Sequence, residues 1–432
     1  MKLIIHRGTA EIGGTCVEVF TEKSRIVIDF GLPLVNAQNE PFDSRALVGK
    51  SPDELRKLKI LPNVSGLYKD QDRSIDAILI SHSHMDHYGL LRYVHPGIPI
   101  YMSEGAKTLI EVSDIFTPHK IGKVNANVID KRKKLVIGDF EIVPYLVDHS
   151  AFDALAFMIK ADGKRIFYSG DFRGHGRKSG LYKRMVSKPP KSIDCLLLEG
   201  SMIGRGEQLF KDEDAVQDRI EKALKTTPNI KLLFASSQNI DRIVSAYKAC
   251  LKTNHVFVID IYTAYILDCL RKVSKHIPQF NWKNIRVKFL KSHADSIAQN
   301  ASVKFLYAYN SRKIEIDEIN AIKDKVLMLA RDNSIFPILV KNIKGIEGAK
   351  IIYSMWEGYL TDKFKEFIAQ KKLSMDVIHT SGHATVADLK AFASAINPKA
   401  LVPIHTFHAD RYGEMFKNVR ALSDGEMWEV GS

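Results

Sequence analysis

Short apolar runs, each closing on a polar or acidic residue, recur along the 432-residue chain. The first, Leu3-Ile4-Ile5, passes through Gly13-Gly14 into Cys16-Val17-Glu18-Val19. This reads as strand, glycine turn, strand, because glycine adopts backbone angles that other residues resist. Further runs predict strands at Arg25–Phe30, Ala77–Ile80, Pro99–Met102, Ile142–Val147, Arg165–Tyr168 and Ile193–Leu198. A helix is expected from Glu104 to about Phe116, and residues 36–73 read as a long polar loop with a short helix at Pro52–Leu58.

From about Gly204 the texture changes. Helix-like Asp214–Leu224, strand-like Lys231–Ala235, helix-like Ile240–Leu251 and strand-like Val256–Ile261 alternate, which argues for a parallel α/β domain inserted into the first fold. The earlier pattern returns at Val377-Ile378. A turn and helix follow, with Thr385 and Asp388 at capping-box spacing. The strand Ala400–Ile404 and a closing strand near Met427–Val430 complete the chain.

Composition narrows the class. Hydrophobic residues at 45% and charged residues at 26% are ordinary for a soluble globular protein. No apolar run approaches a membrane span, and the first residues are too few for a signal peptide. Cys16, Cys195, Cys250 and Cys269 lack Cys-x-x-Cys spacing, so free thiols in a reducing cytoplasm are expected. The net charge of +13 favours polyanionic partners, although a solvated basic surface gives the same sum. The Lys131-Arg132-Lys133-Lys134 run reads as such a surface rather than as a nucleic-acid patch.

Candidate chemistry centres on Ser81-His82-Ser83-His84-Met85-Asp86-His87, directly after an apolar run. On an extended segment His82 and His84 point the same way and can grip one ion, while Asp86 and His87 can face a second. Imidazole nitrogens with a carboxylate suit zinc or a similar divalent ion. The bland alternative is a polar loop rich in histidine, and four donor side chains in six residues argue against it. Four later runs also end in a donor: Ile142–Val147 leads to His149, Arg165–Tyr168 to Asp171, Ile193–Leu198 to Glu199, and Ala400–Ile404 to His405.

His-x-His-x-Asp-His after a strand resembles the metallo-β-lactamase fold, an αββα sandwich that holds one or two metal ions. Glu199, the insertion, Ser381-Gly382-His383-Ala384 and Pro403-Ile404-His405 resemble the β-CASP branch of that superfamily, whose members include ribonuclease J and the endonuclease of pre-mRNA 3′-end processing. The implied fold class is α/β, an αββα sandwich with an inserted parallel α/β domain. Its expected bounds are core at 1–205 and 365–432 and insertion at 206–364. The additional C-terminal domain common in ribonuclease J is expected to be absent, and Tyr353-Ser354-Met355-Trp356-Glu357-Gly358-Tyr359 matches no ribonuclease J signature.

The resemblance implies residue roles. His82, His84 and His149 would hold one ion, and Asp86, His87 and His405 the second, with Asp171 bridging. Two ions, zinc by preference and manganese as the alternative, would share a hydroxide and clamp a phosphodiester. Glu199 would support His383, which would contact the scissile phosphate and protonate the leaving oxygen. Asp29 would orient the metal-binding loop, an ordinary turn aspartate being the alternative. Ser381 and Gly382, read as a helix N-terminus, would meet phosphate oxygens. Ser236, Ser237 and Asn239, in a strand-to-helix loop of the insertion, would add phosphate contacts, with plain solvation as an equal alternative. His379 and His408 lie near ligands in sequence but read as structural.

The resulting expectation is a cytoplasmic, metal-dependent nuclease acting on single-stranded RNA, with no membrane partner and with a homodimer among the options. Histidine at 405, where some DNA-processing members carry an apolar residue, favours RNA over DNA. A hydrolase of small esters or thioesters is disfavoured by the long insertion, which would roof a groove for an extended substrate. An inactive scaffold subunit is disfavoured because every ligand position is filled.

Overall fold

Valine- and isoleucine-rich runs make the first six strands: β1 (Lys2–Arg7), β2 (Cys16–Phe20), β3 (Arg25–Ile28), β4 (Ala77–Leu79), β5 (Ile100–Met102) and β6 (Ala126–Val128). Next come β7 (Leu135–Ile137), β8 (Phe140–Leu146), β9 (Leu155–Ala161), β10 (Lys164–Tyr168) and β11 (Cys195–Glu199). The insertion supplies β12 (Lys231–Phe234), β13 (Val256–Asp260), β14 (Ile285–Lys288), β15 (Val326–Ala330), β16 (Lys350–Tyr353) and β17 (Ser374–Val377). The chain closes with β18 (Ala400–Ile404) and β19 (Met427–Glu429). This computed structural model describes residues 1–36, 40–206 and 208–432. Residues 37–39 of the expected loop and residue 207 of the expected insertion lie outside the described residues.

Two compact units result. The first comprises Met1–Gly174, Lys178–Gly206 and Gly382–Ser432, and the second His175–Arg177 and Glu207–Ser381. In the first unit, one sheet runs β19-β1-β2-β3-β4-β5-β6 and the other β18-β11-β10-β9-β8-β7. Their facing sides pack Leu3, Ile5, Val17, Val19, Ile26 and Ile28 against Phe140, Ile142, Leu155, Phe157 and Ile166. Each such side chain contributes about 1.5–3 kcal/mol of burial free energy. Val27, Ile78 and Ile80 cover the outer face of the first sheet with Ala106 and Ile110 of the helix Glu104–Phe116. Leu196 and Leu198 meet Leu389 and Phe392 of the helix Val386–Ile396 on the other side. The layering is αββα, the expected fold class.

Direction matters for the site. Strands β10, β11 and β18 are mutually parallel. Because β8 and β10 both run antiparallel to β9, β8 shares their direction. In the first sheet β3 and β4 are parallel. The loops that leave β8, β10, β11 and β18 therefore depart from one edge of their sheet.

The second unit is a six-stranded sheet, β14-β13-β15-β12-β16-β17, in which every pairing is parallel. The insertion does not end near 364 as the sequence suggested. The helix Asp362–Gln370 and β17 belong to the second unit, and β17 pairs with β16 in the register Tyr353↔Val377. Ser374-Met375-Asp376-Val377 is an edge strand without a full apolar run, so its periodicity carried no signal.

Candidate metal centre

After β4 the chain stays extended through His84, which has φ −86° and ψ 143°, and then turns into the short helix Met85–Tyr88. The extended part carries His82 and His84, and the helix carries Asp86 and His87. Loops after β8, β10 and β18 bring in His149, Asp171 and His405. Donor atoms of His82, His84 and His149 converge within 4.8 Å of one another, as do those of Asp86, His87 and His405, and those of His82, His87 and Asp171.

Asp171 lies at the junction. Its Oδ2 is 3.1 Å from His87 Nε2, 3.5 Å from His405 Nε2 and 3.7 Å from His82 Nε2. His84 Nδ1 and His149 Nε2 approach to 3.1 Å. The opposite ring nitrogens are occupied by protein. His87 Nδ1 donates to Asp29 Oδ2 at 2.8 Å, and His149 Nδ1 donates to the Gly382 carbonyl at 2.6 Å. His82 Nδ1 lies 3.0 Å from Ser81 Oγ, and His405 Nδ1 lies 2.9 Å from Thr15 Oγ1. Each ring is thus fixed in orientation with one nitrogen turned to the centre, the usual way a protein presents imidazole to a metal.

The residues fit such an ion. His82 Nε2 and His405 Nε2 are buried and make no hydrogen bond within the protein. A buried polar atom left this way is costly unless a ligand takes its lone pair. Burial pushes His82 and His149 well below the ordinary histidine range and His84 down to about 4, so these rings are neutral donors. Burial would lower His87 too, but Asp171 and Asp29 outweigh it and hold it well above that range. The carboxylates favour positive charge at this point, which a cation satisfies by displacing the proton. The arrangement is a site for divalent metal.

Beside it stands a second arrangement. Glu199, at the end of β11, and His383 converge with Asp171. His383 Nδ1 lies 3.3 Å from Glu199 Oε2 and 3.6 Å from Asp171 Oδ2. Glu199 is fixed by the amides of Phe172 at 3.0 Å and Ser201 at 3.2 Å. Burial lowers His383, but Glu199 and Asp171 raise it further, so it holds a proton more strongly than a free histidine.

Comparison with known proteins agrees with this geometry. A family model described as a beta-lactamase superfamily domain matches residues 47–234, and one described as a Zn-dependent metallo-hydrolase RNA specificity domain matches 370–414. The chain belongs to the metallo-β-lactamase superfamily. The parallel insertion and the second match are consistent with its β-CASP branch. Ribonuclease J of Helicobacter pylori is 25% identical over 100% of this chain, and ribonuclease J of Sinorhizobium meliloti is 21% identical over 85% of it. An RNase J-like protein of Methanocaldococcus jannaschii is 22% identical over 66%. The chain spans 61%, 65% and 63% of these three relatives' lengths, respectively. A crystal structure of a protein of unknown function from Enterococcus faecalis V583 shares the fold, with TM-score 0.79, 22% identity and 99% of both chains covered.

Within this superfamily member the expected phosphate contacts fare unevenly. Ser381 and Gly382 are not at a helix N-terminus, because the helix begins at Val386 and its N-cap is Thr385, with the expected capping box to Asp388. The Ser381 amide donates to Gln208 Oε1 at 3.2 Å, and the Gly382 carbonyl is taken by His149. Ser381, Ser236, Ser237 and Asn239 belong to the second unit, apart in the chain's organisation from the donor groups. There Ser237 shares a hydrogen bond with Thr263 at 2.7 Å, and Asn239 caps the helix Ile240–Thr253. His379 lies 3.4 Å from Arg242 Nη1, and the His408 amide donates to Thr406 at 3.1 Å, so neither is among the donor groups.

Sequence reading missed the supports. Thr15, Tyr168 and the buried pair Arg173–Asp148, 3.3 Å apart, carry no ligand spacing. The pair could have been suspected from Asp148 and Arg173 each lying within two residues of a ligand. The Lys131–Lys134 run is a solvated turn, with Lys131, Lys133 and Lys134 paired to Asp153, Asp130 and Glu141. No helix among the described residues is long and apolar enough to cross a membrane.

Proposed function

We propose that the chain is a metal-dependent ribonuclease that hydrolyses phosphodiester bonds of single-stranded RNA. The observation that carries this reading is the proton-holding His383, supported by Glu199 and facing the same carboxylate, Asp171, that joins the metal-donor groups. A binding protein needs no acid there, whereas phosphodiester cleavage needs a proton for the departing oxygen. The ribonuclease J relatives and the RNA specificity description support RNA over DNA.

His82, His84 and His149 would hold one ion and Asp86, His87 and His405 a second, with Asp171 shared. The nitrogen-rich set favours zinc. Bound there, the ions supply Lewis acidity that activates water at neutral pH and neutralises phosphate charge. The chain's own residues do the rest. Asp29 and Thr15 keep the imidazoles oriented, Glu199 keeps His383 protonated and aimed, and His383 delivers the proton. The four cysteines are free, three of them buried, which supports a reducing, cytoplasmic setting.

Two variants test the assignment, His383→Ala and Glu199→Gln, each read by bound-metal content and single-turnover RNA cleavage. Both should keep their metal while cleavage falls about 10²–10⁴-fold. Metal lost together with activity would make these residues ligands instead, and unchanged cleavage would remove them from the chemistry.

A further inference from the structure

In the second unit β12 and β16 are parallel neighbours, with Phe234 paired to Tyr353 and the Ser354 amide donating to the Phe234 carbonyl at 2.8 Å. The segments after these strands, Ser236–Asn239 and Ser354–Tyr359, therefore leave the same end of the sheet. In parallel α/β sheets that end is where ligands bind.

The second of those segments carries an unusual surface. Trp356 is 47% exposed and Tyr359 is 64% exposed, and their rings meet edge to face with centroids 5.2 Å apart. The indole is not loose. A Cβ on Gly358 would fall 2.4 Å from Trp356 Cη2, so the ring lies flat against the glycine backbone. Tyr353 Oη donates to the Trp356 carbonyl at 3.5 Å, and Leu360 anchors the segment on the insertion's core. Two aromatic faces are thus held in place and left to solvent, where burying them would have been favourable.

We propose that Trp356 and Tyr359 form a stacking platform for an unpaired base of single-stranded RNA, an assignment that rests on the ribonuclease reading. Charge selects the occupant. The insertion carries more basic than acidic residues, which draws a polyanion to this unit, but the platform's own charged neighbours are Glu357 and Asp362. Recognition here is therefore by ring face and not by phosphate. A flat, rigid aromatic pair with acidic flanks suits a nucleobase, which has a π-face whatever its identity. Gly358 is part of the device, because any side chain there would displace the indole.

The test is equilibrium binding of a fluorescein-labelled single-stranded RNA to the full chain, across a salt series, for wild type, Trp356→Ala and Trp356→Phe. Trp356→Ala should weaken binding about tenfold and Trp356→Phe should restore most of it. The slope of log affinity against log salt should stay that of wild type, since no phosphate contact is lost. Tryptophan emission should be quenched by intact RNA and not by an abasic strand of equal length. RNA bound equally well by Trp356→Ala, or a shallower salt slope, overturns the platform alone. A change in sedimentation from dimer to monomer in Trp356→Ala would make the patch a subunit contact and overturn it too. Failure of wild type to bind any RNA overturns the ribonuclease reading and the platform with it.

Discussion

Asp29 receives hydrogen bonds from the Ser81 amide and the Ser81 hydroxyl, both at 2.7 Å, from His87 Nδ1 at 2.8 Å and from Tyr168 Oη at 2.6 Å. It does so from a backbone φ of 57°, at the point where β3 ends. The side chain touches no donor group directly, yet it fixes the start of the histidine loop and the tautomer of His87. Asp29→Ala should lower metal affinity about 10–100-fold, measured by competition with a chromogenic chelator, with the fold retained by circular dichroism. Gly31 acts by its lack of a side chain. A Cβ there would sit 1.6 Å from the Asp86 carbonyl oxygen, so Gly31→Ala must push the His-Asp helix away. We expect a loss of about 1–3 kcal/mol in denaturant unfolding together with weakened metal binding.

Elements were legible in proportion to how fully they are buried. β4, β8, β10, β11 and β18 are apolar runs ending in a donor, and for that reason both the sheets and the ligands could be read together. The helix Glu104–Phe116 and the capping box at Thr385 were equally plain. What failed was partly exposed or depended on partners far away in sequence. β17 is an edge strand, Ser381-Gly382 lies ahead of its helix, and Thr15 reaches His405 across most of the chain. At the end of β13, Asp260 caps the helix Ile261–Leu270 through Thr263 and pairs with Arg331, which follows β15. Burial raises this carboxyl, but Arg331 outweighs it and brings it from 3.8 to about 2. Its contribution is therefore complete above about pH 4 and is lost as pH falls through about 2. Arg331→Met leaves the buried carboxylate uncompensated. It should cost about 3 kcal/mol at neutral pH, and urea unfolding between pH 2 and 6 should show the wild-type advantage vanish at the acid end.

At the scale of the whole molecule, the net charge of +13 sets how substrate arrives. RNA affinity should fall with salt along a log–log slope of about −0.7 for each phosphate contacted. The two units divide the labour in the proposed reading: the αββα unit holds every metal donor together with Glu199 and His383, and the parallel unit offers polar loops and exposed aromatics. The most direct measurement is cleavage of 5′-labelled single-stranded RNA and matching DNA, with and without chelator, by wild type and by the Asp86→Ala, His87→Ala double variant. The account predicts RNA cleavage that chelator abolishes, that added zinc or manganese restores and that the double variant lacks. Metal-loaded protein that cuts neither strand, or RNA cleavage that survives in the double variant, would contradict it.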